Sequence, residues 1–281
     1  MLPLVTVVIP NYNNARYLRS SINSVKSQTY KNIEILVIDD CSTDESLDVL
    51  KELSLCTPNL LFYSNDENRG VSYTRNRGIE MSKGEFITTL DPDDLYYENK
   101  IECEVKAMQL MQGKAIIFSG FNSVNDNLDN ILFKTKLTKF TACNGSIFKK
   151  ILYMSIPIPR DMLFTKQQFL SVNGFDENLN LYEDWDFKLK LAKKYKFYFS
   201  GSPGVKYRRH KSGLSSVDFE KHERVMKDIF LKHSDRLNDS YYFFTLLNFK
   251  GYISKLIKFI LYIPIFHFIF QDNYSVGLKH E

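Results

Sequence analysis

Paired cysteines are missing from this sequence. Cys41, Cys56, Cys103 and Cys143 stand singly, with no two at metal-binding spacing. That excludes zinc-finger-type modules and reads as reduced thiols in a cytoplasmic protein. No secretory leader is expected either, because Met1 runs almost directly into a strand-like stretch. No dense Lys/Arg block accompanies the net charge of +4, which argues against nucleic-acid binding. The first apolar run is followed by Pro10-Asn11-Tyr12-Asn13-Asn14, with no glycine fingerprint. A nicotinamide dehydrogenase is excluded on that ground, and the lack of Gly-Lys-Ser/Thr excludes a P-loop enzyme. A nucleotidyltransferase would share such a sheet, but the glycine- and arginine-rich loop expected after its first strand is absent. Long apolar spans are missing as well. The uncharged tail stretch Phe259 to Phe270 is 12 residues long and contains Pro264. A bilayer-spanning helix needs about 20 apolar residues.

What is present suffices for a core, with 44% hydrophobic and 25% charged residues. Val5 to Ile9 is a short β-branched run stopped by Pro10, as expected of a strand buried on both faces. Asn14 is placed to cap the following helix, where Leu18, Ile22 and Val25 recur at helical spacing. Ile33 to Ile38 is a second strand ending in Asp39-Asp40, and Ser42 or Thr43 is expected to open the next helix. Leu60 to Tyr63 is a third strand. After the loop Asn68-Arg69-Gly70 a helix runs from Ser72 to Met81. Phe86 to Leu90 is a fourth strand, running into Asp91-Pro92-Asp93-Asp94. This alternation predicts a doubly wound, mostly parallel α/β sheet. Ligands of such sheets bind beyond the carboxyl ends of the strands, where Pro10-Asn11-Tyr12, Asp39-Asp40 and Asp91-Pro92-Asp93 all fall. Further on, Ile116 to Gly120 reads as a strand and 122–145 as loop or edge structure. Gly174-Phe175-Asp176 reads as a turn, Glu183 to Lys194 as a helix and Phe197 to Phe199 as a strand.

Asp91-Pro92-Asp93 holds two carboxylates just past a buried strand, and buried carboxylates usually meet a cation. Oxygen donors on a loop suit Mg²⁺ or Mn²⁺. A solvated acidic turn, with Asp94 capping a helix, fits the local residues as well. Asp39-Asp40 lies on the same sheet edge and is suited to accept hydrogen bonds from a base or a ribose. Asp184 follows Glu183 at the start of a helix. Local residues there favour simple compensation of the helix dipole, with a general base as the alternative. Arg69, Arg75, Arg208 and Arg209 are candidate diphosphate contacts, and His210 is a candidate metal or phosphate ligand.

These pieces, in this order, resemble the family 2 glycosyltransferases, inverting enzymes of the GT-A fold. The resemblance rests on Val7 to Asn13, Ser27-Gln28-Thr29-Tyr30, Glu34 to Asp44, Asn68-Arg69-Gly70, Arg75-Asn76-Arg77-Gly78, Lys83 to Phe86 and Leu90 to Asp94. It continues through Gly174-Phe175-Asp176-Glu177 and Glu183-Asp184-Trp185-Asp186, covering about residues 4–212. It implies a nucleotide-sugar donor, with a UDP-sugar the first expectation, and transfer to a hydroxyl of a glycan or lipid-linked glycan in bacterial surface polysaccharide synthesis. Asp39 and Asp40 would hold uracil or ribose, and Pro10, Asn11 and Tyr12 would shape the base pocket. Arg69, Gly70, Arg75 and Asp91 would complete the donor site. Asp93, with Asp91 and His210, would hold Mn²⁺ or Mg²⁺, and Asp184 would be the catalytic base. A non-catalytic sugar-nucleotide or glycan-binding partner subunit is the rival from another class, disfavoured because all of these carboxylates are present.

The expected organisation is a GT-A domain over 1–212, with nucleotide-sugar binding in about 1–95 and acceptor binding and catalysis in about 96–212. A helical, amphipathic extension follows over 213–281. Aromatics interleaved with Lys250, Lys255 and Lys258 suggest that 241–270 makes peripheral contact with the inner face of the cytoplasmic membrane. Packing as a core helix or subunit interface is the alternative.

Overall fold

The computed structural model describes residues 2–135, 137, 147–210 and 219–234. Strand β1 (Val5–Asn11) is buried along its whole length, as is β2 (Ile33–Asp39). That explains their unbroken apolar runs, since a strand covered on both faces has no solvent side to mark with polar residues. They pair in parallel and continue to β3 (Leu60–Ser64) on one side and β4 (Phe86–Thr89) on the other. A short antiparallel strand, β9 (Phe164–Thr165), closes the order β3-β2-β1-β4-β9. Register sets Asn11 beside Asp39 and Val8 beside Thr89. The three polar strand ends therefore share one edge, and the expected α/β sheet is observed.

Helices α1 (Ala15–Lys26), α2 (Ser46–Leu55) and α3 (Val71–Met81) connect these strands. On α3, Gly78 lies so close to β1 that an added Cβ would stand 2.4 Å from Val8 Cγ1. Two local expectations fail. Asn14 occupies the N-cap of α1, but its side chain donates to Tyr12 O, and Asp44 caps instead by accepting from Ala15 N at 3.0 Å. Helix α2 starts later than Ser42 or Thr43, because Asp44 also accepts from Ser46 N while Ser42 is held by Asp39.

A second sheet carries the other half of the site. Its order is β5 (Leu95–Tyr96), β11 (Val205–Arg209), β7 (Phe121–Asn125) and β8 (Ile131–Lys134). Strand β5 follows the 91–94 loop directly and pairs antiparallel with β11, which carries Arg208 and leads into His210. The stretch from 122, read as loop or edge, thus contains an interior strand. In β7, Asn122 and Ser123 are buried, and Asn122 donates to the Tyr97 hydroxyl at 2.6 Å. Between β5 and β7 run α4 (Lys100–Leu110) and β6 (Ala115–Phe118), and β6 pairs in parallel with β10 (Lys196–Phe199).

Helix α5 (Phe148–Leu152), α6 (Lys166–Ser171) and α7 (Glu183–Lys194) pack on the far side of the main sheet. Helix α8 (Phe219–His233) lies beyond the expected boundary at 212, yet Ile229 and Phe230 join the same apolar core as Trp185 and Phe187. Burying a side chain of this size contributes about 1.5–3 kcal/mol. His233 and Lys232 of α8 both pair with Asp186 of α7, at 2.8 and 3.0 Å. The tail segment 241–270 and Cys143 lie outside the described residues. Cys41, Cys56 and Cys103 are free thiols. Among the described residues, no helix is long and apolar enough to cross a membrane.

Candidate active site

At the end of β2 the two adjacent acids are held by neutral donors. Asp39 accepts from Asn11 Nδ2 at 2.7 Å, Ser42 Oγ at 2.6 Å and Ser42 N at 2.9 Å. Asp40 accepts from Asn65 Nδ2 at 2.6 Å and from the backbone N–H groups of Arg69 and Gly70 at 2.9 and 2.8 Å. Gly70 has φ 84°, a left-handed conformation that costs a side-chain-bearing residue and that turns its N–H toward Asp40. A carboxylate offers about four lone-pair sites, and three are filled on each acid, with Asp39 fully buried and Asp40 3% exposed. Tyr12 is 45% exposed beside them, whereas Pro10 is buried within β1. Exposed Arg69 lies over the Tyr73 ring at 4.2 Å.

At the end of β4 the acids meet cations. One oxygen each of Asp91, Asp93 and Asp94 lies within 4.8 Å of the other two. Asp91 is gripped on both oxygens, by Arg75 Nη2 at 2.6 Å and Arg160 Nη1 at 2.5 Å. Asp94 accepts from Arg160 Nη2 and from Arg208 N, each at 2.9 Å. Asp93 faces His210, whose Nε2 lies 2.9 Å from Asp93 Oδ2. Arg208 is spent on the framework, donating to Asp93 O at 2.8 Å and to Asp126 O. Arg209 Nη2 lies 3.5 Å from Ser123 Oγ on β7.

Arg75 is 1% exposed and bridges two elements, because its other terminal nitrogen meets Glu183 Oε1 at 2.6 Å. That pair ties the 91–94 loop to the start of α7. Both terminal nitrogens are thereby committed to carboxylates, so the expected diphosphate contact does not fit the packing of Arg75. Next to Glu183, Asp184 pairs with Lys188 at 2.7 Å. Asp184 is near enough to Arg160, Arg75 and Asp91 for their charges to act on one another. The fold therefore gathers Asp91, Asp93, Asp94, His210 and Asp184 into one electrostatic neighbourhood.

Burial favours the neutral form of Asp184, Asp91, Asp94 and Asp161, and local charges decide the outcome. Asp184 is raised by burial, but Lys188, Arg160 and Arg75 outweigh this and hold it at about 2. For Asp91, Arg160 and Arg75 likewise overcome burial and keep it below the usual range. Asp94 goes the other way, since burial, Asp93 and Asp91 push it well above normal against the pull of Arg160. Asp161, fully buried, is pushed up to about 6 by burial, with Arg160 opposing. Its Oδ2 accepts from the Tyr207 hydroxyl at 2.9 Å, and its Oδ1 has no hydrogen-bond partner among the described residues.

A divalent cation fits Asp93 and His210. Donor atoms 2.9 Å apart match adjacent corners of an octahedron of radius about 2.1 Å, whose edge is about 3 Å. Asp91 fits less well than expected, because both of its oxygens are occupied by guanidinium groups. Arg160 and Asp161 carried no signal in the sequence, whereas Asp94 and Glu183, read there only for local roles at a turn and a helix start, each adjoin an acid assigned to the site.

Comparison with known proteins agrees with this architecture. Residues 6–158 match the profile of "Glycosyl transferase family 2". An uncharacterized glycosyltransferase of Rickettsia typhi, RT0329, is 32% identical over 209 residues, covering 74% of this chain and 64% of that protein. The chain thus spans somewhat under two thirds of this relative's length. TuaG of Bacillus subtilis, a putative teichuronic acid biosynthesis glycosyltransferase, is 31% identical over 120 residues, 43% of this chain and 47% of its own. Among solved structures, S. aureus TarS 1–349 in complex with UDP-GlcNAc superposes with a TM-score of 0.66 at 18% identity, covering 84% of this chain and 69% of that one. The fold and its strand-end acids define a GT-A α/β protein. The chain belongs to glycosyl transferase family 2.

Proposed function

We propose that this protein is an inverting glycosyltransferase that takes a sugar from a UDP-linked donor, such as a UDP-hexose or UDP-N-acetylhexosamine, to a hydroxyl of a glycan or lipid-linked glycan. The observation that carries this reading is the Asp93–His210 pair on the 91–94 loop, with Asp184 within electrostatic reach of Asp91 on the same loop, beside a strand edge rich in hydrogen-bonding groups. The UDP complexes of TarS and the teichuronic acid assignment of TuaG support a UDP-sugar and a surface polysaccharide.

In this mechanism the nucleoside lies across the ends of β1 and β2, against Tyr12 and the strand ends that Asn11, Asp39 and Asp40 form. The acceptor oxygen bonds to the anomeric carbon as the carbon–oxygen bond to the diphosphate breaks, its electron pair leaving with the phosphate. Positive charge grows on the sugar ring, as in glycosidases. Asp184 takes the acceptor proton. Its pairing with Lys188 keeps it ionised at neutral pH, the state a base needs, while weakening its pull on the proton. Asp93 and His210 would hold Mn²⁺ or Mg²⁺, which supplies positive charge beside the diphosphate oxygens.

The test is release of UDP from a panel of UDP-sugars with Mn²⁺ or Mg²⁺, followed by NMR of the anomeric configuration of the product. One donor is expected to be turned over with inversion, and Asp93→Ala to lose about 10²–10³-fold of the rate. Retention of configuration, or a rate unchanged in Asp93→Ala, contradicts the reading. We further propose that 241–270 makes peripheral contact with an inner membrane face, placing the enzyme in the cytoplasm beside a lipid-linked acceptor. Equal liposome co-sedimentation of a chain ending at Asn238 and the full chain would refute that extension.

A further inference from the structure

We infer that Arg160 is a positioning residue that withholds Asp91 from the cation, leaving Asp93 and His210 as the metal-binding pair. The inference rests on the metal-assisted reading above and goes beyond it, because it concerns a residue outside the matched 6–158 segment.

Three features single out Arg160. It bridges two members of the acidic loop at once, Asp91 Oδ2 at 2.5 Å and Asp94 Oδ2 at 2.9 Å. It is braced from behind, with its guanidinium over the Tyr207 ring at 4.8 Å and its backbone N–H on the Tyr207 hydroxyl at 3.1 Å. Its side chain is 31% exposed, against 2% for Arg75, so it stands at the open side of the loop while Arg75 is sealed behind it. Asp91 needs both arginines to be filled, since Arg75 takes only Oδ1. Without Arg160, Oδ2 of Asp91 becomes available beside Asp93, in a cluster already within 4.8 Å. A hard dication gains affinity from each added carboxylate. Arg160 thus lowers metal affinity and keeps the cation on the His210 side of the loop. It also places positive charge near Asp184.

The experiment measures Mn²⁺ binding to the full chain without donor, from the EPR signal of free Mn²⁺, and compares wild type with variants. Arg160→Met is expected to bind Mn²⁺ at least about tenfold more tightly while turning over donor more slowly. A merely structural role for Arg160 would weaken both. Asp91→Asn tests the same claim without touching Arg160. It should keep Mn²⁺ affinity within about twofold of wild type, whereas a true ligand would cost about tenfold or more. Arg160→Met with Asp91→Asn, which restores charge balance, should return affinity to the wild-type range. Unchanged or weaker binding in folded Arg160→Met, or a tenfold loss in Asp91→Asn, overturns the inference and leaves the Asp93 assignment standing. Should Arg160→Met fail to fold, the Asp91→Asn result decides alone. A wild-type chain that does not bind Mn²⁺ overturns the metal assignment itself, and this inference with it.

Discussion

The acids after β2 and the acids after β4 occupy the same sheet edge, yet they are satisfied by opposite means. Asp39 and Asp40 accept hydrogen bonds from neutral donors: two asparagines, a serine and three backbone N–H groups. Their negative charge is not cancelled. It is used to fix the loops around 42 and 65–70, which frame the proposed nucleoside site. Asp91 and Asp94 instead meet guanidinium groups, Asp91 those of Arg75 and Arg160 and Asp94 that of Arg160. Between them Asp93 faces a histidine. Of the three carboxylates on this loop, that of Asp93 is the one that, among the described residues, meets no guanidinium group, and it is the proposed cation ligand.

The sharpest way to break this comparison is to remove the proposed base, Asp184, which lies within electrostatic reach of the second cluster. Asp184→Asn should cost about 10²–10⁴-fold in transfer rate. UDP-sugar binding, followed by thermal shift, should be retained. Loss of binding with normal residual turnover would place Asp184 in the donor site instead.

Next in size is the buried pair behind the loop. Arg75→Met strands Glu183 and leaves Asp91 with Arg160 alone, and such breaks cost about 3–5 kcal/mol. Urea unfolding of the variant should show it. A loss below 1 kcal/mol would mean that the ion pair does not fix the loop to α7.

Asp161 gives a prediction with a pH sign. Its folded value of about 6 stands above the ordinary 3.8, so the folded chain holds this proton more tightly than the unfolded one. The favourable contribution is complete below pH 3.8 and is lost as pH rises through 6. Asp161→Asn should therefore stabilise the protein at pH 7.5 by up to about 3 kcal/mol, with little effect at pH 4. Equal effects at both pH values in urea unfolding would contradict the assignment.

The smallest expected effect is on the neutral side of the comparison. Asp40→Asn keeps the shape but loses charge-assisted acceptance from Arg69 N and Gly70 N, at about 1–3 kcal/mol. Hydrogen exchange of those two amides should accelerate. If they stay protected, the 65–70 loop is held by other contacts.

The comparison also marks what the sequence could tell. The order and burial of β1, β2 and β4 were legible because doubly covered strands are written as continuous apolar runs. The strand-end acids were legible because they interrupt those runs abruptly. Interior strand β7 was not, since Asn122 and Ser123 are polar and buried, and the Tyr97 hydroxyl that satisfies Asn122 lies in a distant segment. Capping by Asp44 in place of Asn14 was hidden for the same reason, because the donor it serves lies 29 residues away. Arg160 meets Asp94 across 66 residues and carries no local motif. Local pattern reveals which acids sit at strand ends. Which donors and cations those acids meet is decided by residues brought in by the tertiary fold.

The central claim is best tested by where a cation sits when donor product is present. Crystals grown with UDP and Mn²⁺, measured at the manganese absorption edge, should show an anomalous peak within about 2.0–2.2 Å of an Asp93 oxygen and near His210. The diphosphate should lie against that peak, with uridine toward Asn11 and Asp40. A peak held by Asp39 or Asp40, or UDP bound away from the strand edge, would contradict the account.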